Sequence, residues 1–140
     1  MITIRKTDIE AMAQWAREHL PEEACGLIAG HKDGEDKVID KVIDKVFFLT
    51  NRDHTAQHFS MDPKEQLAAV KEMRQAGLIT LGNWHSHPET PARPSAEDIR
   101  LAFDSRASYM ILSLMDARAP VLNSFHVERG QASREELQVL

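Results

Sequence analysis

The residues best suited to chemistry lie between positions 85 and 98, where the chain reads H-S-H-P-E-T-P-A-R-P-S-A-E-D. His85 and His87 are two residues apart, so in an extended strand their imidazoles face the same side and can chelate one ion. Asp98 follows a proline-rich loop and can return a carboxylate to the same place. Three such ligands leave one position of a zinc ion open for water, which is typical of catalytic zinc sites.

Each part of this pattern has a commoner explanation when taken alone. Ser95 and Asp98 have the spacing of a helix capping box, in which both residues serve only the helix terminus. A lone H-x-H pair more often consists of ordinary core or surface histidines. The whole combination is more specific than its parts, and it predicts that His85, His87 and Asp98 bind Zn²⁺.

The same segment resembles the motif of the JAMM, or MPN-domain, metalloprotease family, in which H-[ST]-H-P is followed at a fixed distance by S-x-x-D. The matching residues are His85, Ser86, His87, Pro88, Ser95 and Asp98. Upstream, residues 21–26 read P-E-E-A-C-G and resemble the family's P-x-E-x-C-G element. The resemblance covers most of the chain and lacks no motif residue, which disfavours the family's inactive scaffold branch.

This resemblance implies a zinc metallopeptidase that hydrolyses a peptide or isopeptide bond. Glu23 would be the general base, and Ser95 would donate a hydrogen bond to the developing oxyanion. The chain is short and has little room for insertions, which resembles prokaryotic members that act on ubiquitin-like sulfur carrier proteins. The implied partner is such a carrier, or a peptide, with a C-terminal Gly-Gly tail, and the loop from Asn51 to Phe59 is the candidate wall of its groove.

Two alternatives remain open at the level of sequence. The first is a zinc amidase of the same fold that acts on small peptides or cell-wall fragments. The second is a non-catalytic MPN interaction module, against which the intact set of Glu23, Ser95 and the three ligands argues. Zinc binding distinguishes the second alternative from both enzymes.

Composition is typical of a folded protein, and we expect a single domain over residues 1–140. Hydrophobic residues make up 42% of the chain and charged residues 28%. The net charge of -5 provides no global positive field, so neither nucleic acid nor an anionic membrane is an expected partner. The N-terminus lacks a signal-peptide pattern, and the single Cys25 cannot form an internal disulfide, so we expect a cytoplasmic protein.

Helix signals are clearest in the middle of the chain. Asp62 as N-cap, Pro63 at the first helical position, Glu65 completing a capping box and Gly77 after the end predict one helix. An earlier helix is predicted from an N-cap at Thr7 to the stop at Pro21. A third helix is predicted to begin at Ser95, after the loop from Pro88 to Pro94.

Strands are predicted from apolar or β-branched runs, with a turn between the first two at residues 31–34. The segment Asp36–Phe47 repeats D-K-V-[IF] with a helix-like period of four, yet its β-branched and aromatic content favours a strand. The other predicted strands are Ala24–Ala29, Leu78–Trp84, Tyr109–Met115 and Val121–Val127, the last two as a possible hairpin.

Several links between strands are too short for helical crossovers, so a mixed α/β, or α+β, architecture is favoured over a doubly wound sheet. The family resemblance implies the JAMM/MPN fold, a mixed and mostly antiparallel sheet flanked by helices and similar to that of cytidine deaminases.

Other candidate residues carry weaker signals. His54 and His58 are four residues apart, but no acidic or cysteine partner stands at metal spacing, which favours ordinary loop histidines. Cys25 is predicted to be a small buried hydrophobe rather than a ligand or nucleophile. The remaining predictions place Glu22 in solvent beside Glu23 and Glu89 near the site mouth, and assign no partner to His19, His31 or His126.

Overall fold

The computed structural model describes residues 1–34 and 39–140. The elements follow the order β1 (Ile2–Ile4), α1 (Lys6–Glu18), β2 (Cys25–Asp33), β3 (Asp40–Leu49), α2 (Pro63–Gln75), β4 (Ile79–His87), α3 (Ala96–Arg100), β5 (Ser108–Ser113), β6 (Val121–Glu128), β7 (Gln131–Glu135) and β8 (Leu137–Val139). None of the helices in these two ranges is long and apolar enough to cross a membrane.

The strands form one eight-stranded sheet in the order β7-β6-β5-β4-β2-β3-β1-β8. The pairs β2–β3, β2–β4, β5–β6 and β6–β7 are antiparallel, whereas β1–β3, β1–β8 and β4–β5 are parallel. The predicted mixed and mostly antiparallel sheet is therefore confirmed. The sheet places β4, with both motif histidines at its end, between β2 and β5.

A helix packs on each face of the sheet. On one face, the buried Met12 and Ala16 of α1 pack with Ile28 and Trp84. On the other face, Ala69 and Met73 of α2 pack with a second apolar cluster that contains Cys25, Leu27, Ala29, Phe47 and Leu49. Burial of each large apolar side chain contributes about 1.5–3 kcal/mol, so β2 and its neighbours form a firmly packed platform for the site.

Gly26 allows a contact between the strands on either side of β2, next to the site. A Cβ at this position would overlap the backbone carbonyl of Phe47 and the indole of Trp84. The glycine therefore lets the Trp84 indole N–H reach over β2 and donate to the Phe47 carbonyl at 3.0 Å. This contact ties β4 to β3 one residue before His85, which gives a physical reason for glycine in the P-x-E-x-C-G element.

The prediction for the start of α1 is wrong. The N-cap is Arg5, whose backbone is extended, and Thr7 lies inside the helix. Arg5 has no side-chain cap bond, and its guanidinium instead pairs with Asp8 at 2.9 Å. The short strand β1 leads directly into the helix and fixes where it begins, so tertiary pairing outweighs the local preference for a threonine cap. The helix ends at Glu18, three residues before Pro21.

The markers of α2 are confirmed with one exception. Asp62 accepts hydrogen bonds from the backbone N–H groups of Lys64 and Glu65, at 2.9 and 3.2 Å, and Gly77 has a φ of 72°. The reciprocal half of the predicted capping box is wrong, because the Glu65 carboxylate accepts from the backbone N–H and the hydroxyl of Thr50 instead. Glu65 thereby ties α2 to the residue that follows β3.

The strand interpretation of the D-K-V repeat is confirmed from Asp40 onward, because β3 pairs with β2 from Asp40 to Leu49. Asp36, Lys37 and Val38 lie outside the described residues. The predicted turn at residues 31–34 is wrong in part, since β2 continues to Asp33 by pairing with β3.

The remaining strands differ from prediction mainly at their ends. β4 extends beyond Trp84 to His87, and the β5–β6 hairpin is confirmed. The unpredicted strands are β1, β7 and β8. β1 and β8 alternate apolar and polar residues but have only three residues each, which is too short for a clear signal, and β7 reads Q-A-S-R-E, which lacks apolar alternation.

Candidate metal and catalytic site

The structure brings together the three predicted metal ligands. His85 Nε2 lies 3.1 Å from His87 Nε2 and 3.2 Å from Asp98 Oδ2, and the distance from His87 Nε2 to Asp98 Oδ2 is 3.1 Å. Both histidines are nearly fully buried, with exposed fractions of 3% and 5%. Among the described residues, this is the only group of three or more His, Cys, Asp or Glu side chains whose ligand atoms converge in this way.

The donor set and its spacing fit a zinc ion. A tetrahedral ion with ligand distances of about 2.0–2.1 Å separates its ligand atoms by roughly 3.3 Å, close to the three observed distances. His87 Nδ1 lies 2.9 Å from the Pro91 carbonyl, to which it donates in the neutral ring, so Nε2 presents a lone pair to the cluster. Two imidazole nitrogens and a carboxylate at this spacing are suited to hold a cation between them.

The charge states of His85 and Asp98 also suit a metal, whereas burial would lower the pKa of His87 but hydrogen bonds with Asp98 and Pro91 raise it. Burial lowers the pKa of His85, which favours the neutral ring that a metal requires. Burial alone would raise the pKa of Asp98, but its side-chain contacts with the His85 and His87 rings, at 3.2 and 3.1 Å, outweigh burial and hold the pKa well below its usual range. Asp98 is therefore an anion, the form that binds a cation.

Asp98 is both a helix-capping residue and a member of the cluster. The Ser95 backbone N–H donates to Asp98 Oδ2 at 2.9 Å, and the Asp98 backbone N–H donates to Ser95 Oγ at 3.0 Å. The capping box of α3 is thus complete, and it aims the Asp98 carboxylate at the histidines. Ser95 uses its oxygen as the acceptor in this cap, which leaves the O–H proton of its exposed hydroxyl available to a substrate.

His85 has a different environment from His87 on the side away from the cluster. Its buried Nδ1 has no hydrogen-bond partner among the described residues. The ring of Phe59 instead stacks on the imidazole, with 4.7 Å between the ring centroids and an angle of 25° between the planes. Aromatic packing therefore holds the His85 ring, whereas a hydrogen bond to a carbonyl holds the His87 ring.

Glu23 lies two residues before the start of β2, opposite His87. The Cys25–His85 pair sets the register, and the Ala24–Ser86 contacts extend it toward Glu23: the Ala24 N–H donates to Ser86 Oγ at 2.7 Å, and the Ser86 N–H donates to the Ala24 carbonyl at 2.9 Å. Antiparallel pairing therefore places the Glu23 side chain on the same face as the two histidines. Glu23 is 4% exposed.

The environment of Glu23 suits a proton acceptor. Burial raises its pKa to about 8, and the charge of Asp98 adds to this effect, while His87 opposes it. Its Oε1 atom has no hydrogen-bond partner among the described residues. A buried carboxylate with a raised pKa and a free oxygen holds a proton more readily than an ordinary carboxylate and is able to return it.

Three residues that support the site were not assigned a role from sequence. Asn51 is buried, donates to the carbonyls of Glu23 and His58 at 3.0 and 3.1 Å, and thereby shapes the loop that follows β3. Ser86 positions Ala24 through its hydroxyl, and Phe59 packs on His85. Ser86 was visible as a motif residue, and Phe59 as a lone aromatic in a polar loop, but nothing in the sequence marked Asn51.

A cleft of about 430 Å³ opens beside the cluster and is lined by both His85 and Asp98. The loop predicted as a groove wall contributes His58 and Phe59 to this lining, followed by Ser60 and Met61. Glu89, predicted near the mouth of the site, is exposed and is not among the residues that line this cleft.

The other histidines pair with carboxylates or carbonyls rather than with a metal cluster. His54 lies 3.2 Å from Glu22, and His58 lies 3.0 Å from Asp53, which agrees with ordinary loop histidines. The sequence assigned no partner to His126, and the structure places its Nε2 2.7 Å from Glu135 on β7. β7 was not predicted, so its residues could not be considered as partners. The remaining contacts are His31 with Asp44 and His19 with the Trp15 carbonyl.

Comparison with known proteins supports this assignment of fold and family. Residues 6–127 match the model of the prokaryotic homologues of the JAB domain. The chain is 30% identical to the CysO-cysteine peptidase of Mycobacterium tuberculosis over 140 residues, 100% of this chain and 92% of that protein. It is 33% identical to the probable TtuB-protein conjugate cleaving protease of Thermus thermophilus over 114 residues, 81% of this chain and 70% of that protein.

A solved structure shows the same architecture throughout. The solution structure of protein DSY2949 from Desulfitobacterium hafniense is 50% identical, with a TM-score of 0.89, and the match covers 100% of this chain and 93% of that one. The predicted JAMM/MPN fold is confirmed by the crystal structure of AF2198, a JAB1/MPN domain protein from Archaeoglobus fulgidus, which is 22% identical with a TM-score of 0.63 over 100% of this chain and 99% of that one. The family model covers nearly all the elements that surround the cluster, and the chain therefore belongs to the prokaryotic JAB-domain family.

Proposed function

We propose that this protein is a zinc-dependent peptidase that hydrolyses the peptide or isopeptide bond after the C-terminal Gly-Gly of a ubiquitin-like sulfur carrier protein. The observation that carries the proposal is the convergence of His85, His87 and Asp98 beside the buried carboxylate of Glu23. In the proposed site these three residues hold the zinc, and Glu23 and Ser95 act on the substrate.

Each residue has a distinct task. When bound, zinc supplies Lewis acidity and lowers the pKa of a coordinated water toward ~7. Glu23 takes a proton from the attacking water and returns it to the leaving amine, a role that its raised pKa and its free Oε1 support. Ser95 donates its O–H to the developing oxyanion, a contribution of about 3 kcal/mol for one such donor.

The burial of this machinery supports a Gly-Gly substrate. Glu23, His85 and His87 are each 5% exposed or less, so a bulky chain cannot reach them without displacing its surroundings. Two glycines have no side chains and allow the backbone to approach closely. The proteins most relevant to the substrate carry names that refer to CysO-cysteine and to TtuB-protein conjugates, which supports the choice of a carrier conjugate.

The test combines metal content with hydrolysis of a Gly-Gly carrier conjugate by four proteins: the parent, His87→Ala, Glu23→Gln and Glu22→Gln. We expect about one zinc per parent chain, loss of zinc in His87→Ala, and retention of zinc without hydrolysis in Glu23→Gln. Glu22→Gln is the matched control, since Glu22 pairs with His54 in the loop, and it should remain active.

The outcomes separate the remaining alternatives. A parent that binds no zinc would favour a non-catalytic interaction module. Zinc binding together with hydrolysis of short unrelated amides, but not of the carrier conjugate, would favour a small-peptide amidase. Hydrolysis that persists in Glu23→Gln would remove Glu23 from the mechanism.

A further inference from the structure

We infer that the cleft beside His85 and Asp98 binds an apolar side chain of the substrate, on a residue adjacent to the Gly-Gly pair, and disfavours an acidic one. The inference rests on the proposed function, because it assigns a specificity subsite to the same peptidase. It concerns a residue of the substrate other than the two glycines.

The floor of the cleft begins at an apolar side chain that adjoins the cluster. Ile111 on β5 is the cross-strand neighbour of His85 on β4 and is 1% exposed. Farther from the cluster, the cleft is lined by Asn83 on β4, Tyr109 on β5 and Val127 on β6. A substrate group that lies on Ile111 is therefore next to a candidate metal ligand, as a residue flanking the scissile bond would be.

The walls of the cleft are also largely apolar. Phe59 and Met61 line one side, and Leu101 and Phe103, which follow α3, line the cleft as well. Leu101 is 50% exposed and Phe103 is 87% exposed. Exposed apolar groups that adjoin a concave apolar floor are typical of binding sites, because a ligand removes them from water.

The charge of the cleft selects against an acidic group. Among the described residues that line it there is no lysine or arginine, whereas Glu97 and Asp98 both contribute carboxylates. Arg100 lies 3.8 Å from Glu97 but is 73% exposed, so it offsets only part of that charge. A carboxylate that lies in this cleft beyond the reach of the proposed zinc would lose its hydration without gaining a fixed cationic partner, which is unfavourable.

The volume is suitable for such an occupant. At about 430 Å³ the cleft lies within the range of roughly 300–1,000 Å³ that is typical of sites for small molecules and side chains. The cleft includes His85 and Asp98 but neither His87 nor Glu23. An apolar side chain can therefore lie to one side of the cluster without obstructing the proposed base.

The test uses acetylated hexapeptides with a central Gly-Gly, in which the residue before or the residue after the pair is leucine, alanine or aspartate. Binding is measured with the zinc-loaded Glu23→Gln protein, and chemical-shift changes identify the residues in contact. In one of the two series we expect leucine to bind at least about tenfold more tightly than alanine, and aspartate to bind most weakly. The shifts should include Ile111 and Val127.

Variants then connect the preference to the cleft. The double substitution Leu101→Ala and Phe103→Ala should reduce the leucine preference to less than about threefold, because it removes one apolar wall. The matched control is Leu67→Ala with Met115→Ala, two exposed apolar residues outside the cleft, at 57% and 61% exposure. This control should keep the full preference.

The outcomes distinguish this inference from the proposed function. Equal binding of the leucine, alanine and aspartate peptides, or no binding, overturns the inference. A dimer of the parent protein that the double substitution abolishes, without peptide binding, would assign the cleft to a second copy and also overturn it. A leucine preference that maps to the cleft, in a protein that hydrolyses no carrier conjugate, supports the inference and overturns the proposed function.

Discussion

Phe59 stacks on the imidazole of His85, with 4.7 Å between the ring centroids. The Nδ1 atom of this imidazole has no hydrogen-bond partner among the described residues. His87, by contrast, has the Pro91 carbonyl 2.9 Å from its Nδ1. The two proposed ligands are therefore held by different interactions, one by aromatic packing and one by a hydrogen bond.

This difference predicts that Phe59→Ala weakens zinc binding. Loss of an outer partner of a metal ligand commonly lowers affinity by about 10–100-fold, and we expect an effect near the lower end because only packing is lost. The measurement is a competition titration against a chromophoric zinc chelator. Phe103→Ala, which truncates an exposed phenylalanine with no stacking on either ligand, should leave the affinity unchanged. Equal affinities in all three proteins would show that Phe59 does not hold His85.

Ser95→Ala should affect both stability and catalysis, because Ser95 caps helix α3 and is also the proposed hydrogen-bond donor to the oxyanion. Loss of the acceptor for the Asp98 N–H is expected to lower the free energy of unfolding by about 1 kcal/mol. Loss of the O–H donor is expected to lower kcat by about 10²–10³.

Ser95→Thr keeps a hydroxyl for both tasks and is the control. Thermal unfolding and steady-state hydrolysis, measured on the same samples, separate the two effects. A Ser95→Ala protein that loses stability but keeps its kcat would restrict Ser95 to the cap.

Glu135 predicts a pH-dependent contribution to stability. Burial alone would raise its pKa, but hydrogen bonds from His126 and two serines outweigh burial and lower the pKa to about 2. A depressed pKa contributes stability that is present above about pH 4.5 and is lost as the pH falls toward 2. By linkage the contribution is on the order of 3 kcal/mol at neutral pH.

Glu135→Gln should therefore unfold more easily than the parent at pH 7, and the difference should shrink between about pH 4.5 and pH 2. Urea unfolding at a series of pH values measures this difference. Glu136→Gln removes a neighbouring, exposed carboxylate and should change stability little. If the difference in free energy of unfolding between the parent and Glu135→Gln does not change with pH, the lowered pKa of Glu135 is contradicted.

Cys25 is expected to be unreactive in the folded protein. Burial raises the pKa of its thiol to about 12, with the carboxylate of Glu65 adding to the effect, and the side chain is 0% exposed. Alkylation by iodoacetamide at about pH 8 should proceed only after unfolding, since the thiolate is the reactive form. Rapid labelling of the native protein, followed by mass spectrometry, would contradict this prediction.

Local patterns in the sequence account for much of the fold and of the candidate site. The spacing of His85, His87 and Asp98 predicted a chelating group, and the structure brings their ligand atoms together. Asp62 and Gly77 marked the start of α2 and the turn after its end, because cap chemistry depends on residues within one or two turns of the helix. The strands with apolar or β-branched runs were recognised because that signal also lies within a short stretch of sequence.

Features that depend on partners distant in sequence could not be predicted in this way. Helix α1 begins at Lys6 rather than after Thr7 because β1, two residues earlier, pairs with β3 and β8. Glu65 binds Thr50 instead of completing its cap, and His126 binds Glu135 on a strand whose sequence carries no strand signal. The hydrogen-bond or ion-pair partner of such a residue depends on which groups the sheet brings near it.

The sequence by itself determined the family and the proposed ligand set and base, because these depend on residue types at short and regular spacing. Only the tertiary structure decided how the site is supported. The pairing of β2 with β4 places Glu23 opposite His87, and the loop after β3 brings Phe59 onto His85. The apolar cleft combines side chains from β4, β5, β6 and the segment after α3, so no local stretch of sequence contains it.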